Sequence, residues 1–197
     1  MPRKPKYDNL REACIEEAIR IIQSDGIDNL SLRQVSRRLG VSHQAPYKHF
    51  ASRDHILAEV VSRMYKAFAE HVSSAPKTDD PYMDLRGMGQ AYLGYAITHP
   101  LEYHLMFNTP LPPAHEHPDM MSNAQEAFGL VQDCLERMGH PQSKVTALFV
   151  WSTMHGWASL LQAQVLDTID LPDDMLEVTT EHILNQIRLA LTNEGKA

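Results

Sequence analysis

Cysteine is scarce here, with Cys14 and Cys134 the two examples in 197 residues, and glycine and proline are sparse as well. Both cysteines fall inside helical patterns without metal-ligand spacing, so they read as reduced packing residues of a cytoplasmic protein. No apolar stretch reaches the roughly 18 residues of a membrane span, which argues against insertion in a bilayer. The first ten residues, MPRKPKYDNL, lack the apolar core of a secretory signal. The prolines sit between periodic runs rather than inside them, and neither an internal repeat nor a strand pattern is evident. A disulfide scaffold, a membrane helix and a repeat array are therefore set aside in favour of an all-α chain.

Charge of one sign is also unevenly spread. The whole chain carries −7, yet residues 1–55 carry +3 and the remainder −10. A basic head on an acidic body attracts phosphate to one end and repels it from the other. This suggests a division at residue 55: a head over 1–55, with a basic tail over 1–7, and a helical regulatory and dimerisation part over 56–197.

The apolar spacing predicts about nine helices. The first runs from about Asp8 to Asp25 along a stripe of Leu10, Cys14, Ala18 and Ile21, and Gly26 closes it. The second follows a capping box, Ser31-x-x-Gln34, with Leu32, Val35 and Leu39 on one face. Gly40 can end it in the left-handed conformation, and Ser42 can cap a short third helix, His43–Phe50, in which Pro46 costs only the first intrahelical bond. A long fourth helix follows Ser52-Arg53-Asp54. Asp80-Pro81 starts a fifth at 81–99, and Pro100 a sixth at 100–107. After a Pro-rich loop, helices are expected at 118–138, 141–166 and 172–192. Asp167, Asp170, Asp173 and Asp174 cap the last one.

Two helical patterns joined by Gly40-Val41-Ser42, with basic and aromatic residues crowded on the second, form a helix-turn-helix suited to a major groove of duplex DNA. Ser31, Arg33, Tyr47 and Arg53 are placed for backbone phosphates near helix N-termini. His43, Gln44 and Lys48 are candidates for base edges, Gln suiting adenine and Lys guanine. Ser42 and His49 flank them on the same element, and Phe50 is an inward anchor. Arg3, Lys4 and Lys6 can track a groove or phosphates.

The order LSLRQVSRRLGVSHQAPYKHFASRDHILAEVV resembles the DNA-binding domain of the TetR family of repressors over about residues 8–60. The match lies at Gly40-Val41-Ser42, Tyr47-Lys48-His49-Phe50 and Ser52-Arg53. It departs at Ser36, where the family often has Ala, and at Pro46. Further along, His99-Pro100-Leu101-Glu102-Tyr103 with Leu105-Met106-Phe107, and Trp151-x-x-x-His155-Gly156, resemble segments of the family's C-terminal ligand-binding domains. The resemblance implies a homodimer built from the last two helices of each subunit, binding a pseudo-palindromic operator and released by a small molecule. Independently, Val145, Leu148, Phe149, Trp151, Val178, Ile183, Ile187 and Leu191 supply more apolar surface than one acidic bundle should leave exposed.

A pocket for a small apolar or aromatic ligand is expected from Met64, Phe68, Tyr92, Tyr95, His99, Tyr103, Met106, Phe107, Trp151, His155 and Trp157, with His99 and His155 as polar anchors. These residues equally suit a filled core, which would leave a ligand-independent DNA-binding regulator. Eleven histidines invite a metal reading at His115-Glu116-His117, with His104 nearby, but no further ligand is identifiable, so no metal or cofactor is expected. A metal-assisted helical enzyme is the remote alternative. It lacks a nucleophile, base and orienter at readable spacing, and the chain is read as a non-enzyme.

Overall fold

The helices begin where the sequence supplies side-chain caps. In the computed structural model, which describes residues 7–163, 165–169, 172 and 174–194, Asn9 accepts the Glu12 N–H at 3.1 Å, and Ser31 accepts that of Gln34 at 3.1 Å. Ser52 accepts the N–H of His55 at 3.1 Å and Asp80 that of Tyr82 at 2.9 Å. Each side-chain oxygen satisfies one of the amides left without an intrahelical partner at a helix start.

Eight α-helices and no strand occur among the described residues: α1 Leu10–Asp25, α2 Leu32–Leu39, α3 Arg53–Ser73, α4 Pro81–Thr98, α5 Pro100–Phe107, α6 Pro118–Arg137, α7 Ser143–Gln162 and α8 Met175–Glu194. The all-α class agrees with the sequence reading; eight helices stand where about nine were expected. The difference is the segment expected as a helix at His43–Phe50, which is a turn leading into a 3₁₀ turn at Pro46–Lys48. An α-helix capped at Ser42 would need an amide at position 46 to bond the Ser42 carbonyl. Proline has none. The carbonyl accepts instead from Ala45, at 2.9 Å, and the following bonds, Lys48 N–H to Ala45 and His49 N–H to Pro46, keep the tighter spacing.

The capping box is also half formed. Gln34 gives its amide to Ser31, but its side chain reaches Asp25 and accepts from Arg37 rather than folding back. Of the four aspartates expected to cap the last helix, Asp170 and Asp173 lie outside the described residues, as does the side chain of Asp167. Asp174 accepts the Val178 amide through its backbone carbonyl. The tail positions Arg3, Lys4 and Lys6 are likewise outside the described residues.

The chain divides into two compact units. The first comprises the residues up to Met64 together with His104–Ser122, so it is larger than the head read from charge and takes in a segment distant in sequence. Its core is built from Ile15, Ala18, Ile21, Val35, Phe50 and Ile56, all fully buried. Two ion pairs join α1 to α3: Arg63 forks onto the carboxylate of Glu12, and Arg11 meets Glu59 at 2.6 Å. The hydrogen bond from Arg63 holds the Glu12 carboxyl below its ordinary range.

The second unit comprises Tyr65–Tyr103 and the residues from Asn123 onward. Here α4 packs on α7 and α8. Arg86 grips Glu181 through two bonds of 2.6 and 2.7 Å, Gln162 donates to the Ala96 carbonyl at 2.8 Å, and Trp157 donates to Thr180 at 2.9 Å. At Gly89, α4 lies close against α8. A Cβ at this position would stand 2.7 Å from Leu184 Cδ2. No helix among the described residues is long and apolar enough to cross a membrane.

Candidate functional site

The first unit presents Lys48, Tyr47 and two histidines, His43 and His49, on one short turn. Gly40, in the left-handed conformation at φ 61°, ends α2 with its amide directed back to the Ser36 and Arg37 carbonyls. The chain then turns through 42–49. Pro46 and Phe50 are buried beneath it, whereas Ser42, His43, Gln44, Tyr47, Lys48 and His49 are exposed. Two apolar anchors thus fix a rim of polar side chains that no neighbour in the unit covers. The rings of His43 and Tyr47 lie 5.6 Å apart on that rim.

Other expected contacts are placed differently. Arg33 is exposed on α2. Arg37, four residues on, is exposed too and was not among the candidates; the stripe of Leu32, Val35 and Leu39, which turns both arginines outward, was the available signal. Ser31 spends its hydroxyl on the helix cap. Arg53 turns back into the unit: its guanidinium donates to the carbonyls of Leu30 at 3.1 Å and Ile27 at 3.0 Å, and approaches Asp54 at 3.4 Å. It pins the loop between α1 and α2.

The residues expected to line a pocket fall in both units. Met64, Met106 and Phe107 belong to the first, where the two methionines are buried. The other eight lie in the second unit. Phe68 is its hub, meeting Tyr92 at 5.1 Å and Tyr95 at 5.2 Å edge-on, with Trp151 at 6.4 Å. Beside this cluster three polar groups converge. The hydroxyls of Tyr92 and Tyr103 are 2.8 Å apart, and Tyr103 lies 2.6 Å and Tyr92 3.3 Å from Nδ1 of His155. Burial drives the Tyr103 hydroxyl up to about 12, raises that of Tyr92 further, and lowers His155. A neutral imidazole accepts the Tyr103 proton at Nδ1 and Tyr103 accepts that of Tyr92, so the two phenol protons fill the two shorter sides of the triangle.

His99, the second expected anchor, does not join it. It stacks on Tyr95 at 4.4 Å and meets Thr98 through Nδ1 at 2.8 Å. Trp157 commits its indole N–H to Thr180 of α8. The space left among Phe68, Tyr92, Trp151 and Met154 is a cleft of about 30 Å³. That is room for little more than a water, against the ~300 Å³ or more of a ligand pocket. Among the described residues no three His, Cys, Asp or Glu side chains group as metal ligands; His115 stands 3.6 Å from Glu116, and the His117 ring lies 5.9 Å from that of His55.

The outer face of α7 carries apolar side chains without cover in the second unit. Val145 is 62% exposed, Leu148 55% and Phe149 47%, and Leu160 continues the line. On α8, Val178 and Leu189 are exposed as well. The remaining residues named from sequence for this surplus divide: Ile187 and Leu191 are buried, while Trp151 and Ile183 are half-buried.

Comparison with known proteins agrees with this arrangement. Residues 15–60 match the family described as bacterial regulatory proteins, tetR family, and residues 85–183 match the tetracyclin repressor-like C-terminal domain. The HTH-type transcriptional regulator Rv1816 of Mycobacterium tuberculosis is 28% identical over 120 residues, which cover 59% of this chain and 51% of the relative. The chain thus spans about half the length of that relative. A protein of unknown function from Rhodococcus sp. RHA1 has the same fold, with a TM-score of 0.75 and 23% identity over 93% of this chain and 98% of the other. So does the TetR regulator SCO7222 of Streptomyces coelicolor, with a TM-score of 0.63 and 20% identity over 93% and 96% of the two chains. With an N-terminal helix-turn-helix match and a C-terminal match that by itself spans half of the sequence, the chain belongs to the TetR family of bacterial regulatory proteins.

Proposed function

We propose that this protein is a cytoplasmic DNA-binding transcriptional regulator, a repressor that holds a pseudo-palindromic operator as a homodimer and releases it on binding a small molecule. The rim at 42–49 carries the reading: His43, Gln44, Tyr47 and Lys48 are exposed on a turn anchored by Pro46 and Phe50. Gln44 and His43 read base edges; Lys48, which the sequence suited to a guanine edge, is assigned as a point charge to phosphates, with Tyr47, Arg33 and Arg37. Arg53 acts through structure, by holding the loop that presents α2. The uncovered faces of α7 and α8 serve as the dimer interface, since a contiguous apolar stripe of this kind marks an association surface. Two rims related by a two-fold axis then match two half-sites about one helical turn apart.

The sensing step is a population shift. Helix α3 supplies residues to both compact units, so repacking around Phe68 acts on the same continuous helix that carries Arg53. A second reading, a regulator that responds to no ligand, is favoured by the small cleft beside the aromatic cluster. In vitro selection of duplexes by the full chain, followed by salt titration of the selected site, tests the function. An inverted repeat with affinity falling steeply with salt is expected. Recovery of no preferred sequence removes the proposal. A screen for compounds that release the selected duplex separates the two readings.

A further inference from the structure

A second space in the C-terminal unit lies away from the residues expected to form the pocket. It is a groove of about 200 Å³ between the N-terminal half of α4 and the C-terminal half of α8, floored by α7. Its floor is apolar, with Leu85, Val150, Met154, Leu184 and Ile187. Its rim holds the charges of Asp80, Arg86 and Arg188. Asp80 is committed to the cap of α4, and Arg86 is neutralised by its fork onto Glu181. Arg188 is exposed and makes no ion pair among the described residues.

Leu85, Gly89, Val150 and Met154 line this groove and also the 30 Å³ cleft against Phe68, Tyr92 and Trp151. The two spaces are therefore opposite sides of one thin wall. Gly89 contributes no side chain to it, and Met154 is its most adaptable member, an unbranched thioether with several low-energy rotamers.

We propose that this groove is the mouth of the ligand site, that Met154 is its gate, and that it takes an amphipathic monocarboxylate, with the carboxylate at Arg188 and the apolar body passing Met154 toward Phe68, Tyr92 and Trp151. This rests on the reading of the C-terminal unit as a sensor. An apolar floor with a cation at the rim, Arg188, that makes no ion pair among the described residues favours a molecule of that polarity over a neutral or cationic one, because Arg meets a carboxylate through paired charge-assisted bonds.

Calorimetric titration of the full chain with dodecanoate, below its micellar concentration, and with dodecyltrimethylammonium as the cationic chain of equal length, tests it. Saturable binding of dodecanoate is expected, at least about tenfold tighter than the ammonium. Arg188→Glu, a change on an exposed helix face, should weaken dodecanoate by about tenfold, the loss of one charge-assisted contact. Met154→Ala, which thins the wall, should tighten it. Equal binding of the two amphiphiles, or dodecanoate binding indifferent to both substitutions, overturns the site. Operator release measured in parallel separates the two claims. Dodecanoate bound as described but without release keeps the site and removes the sensing role. Release by another compound that neither substitution alters keeps sensing and removes the site.

Discussion

The hydroxyl of Tyr103 stands 2.6 Å from Nδ1 of His155, a contact between α5 and α7 made in a buried, otherwise aromatic region. Burial lowers the imidazole's affinity for protons, so the folded protein binds the proton less readily than the unfolded chain. The contribution is complete above the unfolded value of about 6.5 and is lost as pH falls from there through the depressed folded value. Urea unfolding between pH 7.5 and 5 should show this decline, and His155→Gln should flatten it. Tyr103→Phe should cost about 1–3 kcal/mol at pH 7.5, because a buried acceptor loses its donor.

Arg53 and Lys48 should separate structural from direct roles. Arg53→Ala removes the donors to Ile27 and Leu30 and should lower stability by about 1–2 kcal/mol, with weaker DNA binding as a consequence. Lys48→Ala should leave unfolding unchanged while reducing the salt slope of DNA binding by about one. Unfolding curves and salt titrations on both variants check the division.

Gln44 should act on sequence rather than affinity alone. Gln44→Ala is expected to relax preference at one base pair of each half-site, with a discrimination loss of about 1–3 kcal/mol. Competition among single-position variants of the selected duplex measures it. A uniform loss across all positions would reassign Gln44 to the phosphates.

Phe149, 47% exposed on α7, should be central to self-association. Phe149→Asp places a charge on the apolar stripe and should weaken the dimer by roughly 30-fold or more, as for a contact of about 2 kcal/mol. Light scattering across a dilution series reads the shift, and DNA affinity should fall with it.

Asp84 is buried, and its carboxylate accepts from Arg137 at 2.8 Å and from the Thr78 amide and hydroxyl. Those bonds hold its carboxyl below the ordinary range. Stability from this site is present above about pH 3.9 and lost as pH falls through the lowered value. Asp84→Asn should lower the melting midpoint at pH 7 and reduce the acid sensitivity of unfolding.

Much of the head was legible because its signals are local. Caps at Ser31 and Ser52, the turn at Gly40 and the inward Phe50 follow from residue chemistry over three or four positions. The segment 43–50 departs from the expected helix for an equally local reason, since the missing amide of Pro46 shifts the Ser42 carbonyl onto Ala45. The hydrogen bonds of Arg53 were beyond local reading, since its partners are 23 and 26 residues away and nothing nearby marks it as a fastener of the loop before α2.

The pocket divides in the same way. Apolar periodicity identified the residues that turn inward, but aromatic side chains at those positions equally fill a core or line a cavity. Which occurs depends on how helices distant in sequence approach, and here Phe68 meets Tyr92, Tyr95 and Trp151 closely enough to leave a sliver. By itself, the sequence determined the helical class, the Gly40 turn with the polar segment that follows it, and the difference in charge between the chain's two ends, because capping, periodicity and charge act over short spans. Tertiary structure alone decided that Arg53 fastens the loop before α2, that Tyr92, Tyr103 and His155 meet in one triangle, and that a groove of about 200 Å³ opens beside Arg188. Each depends on distances between helices, which residue order does not encode locally.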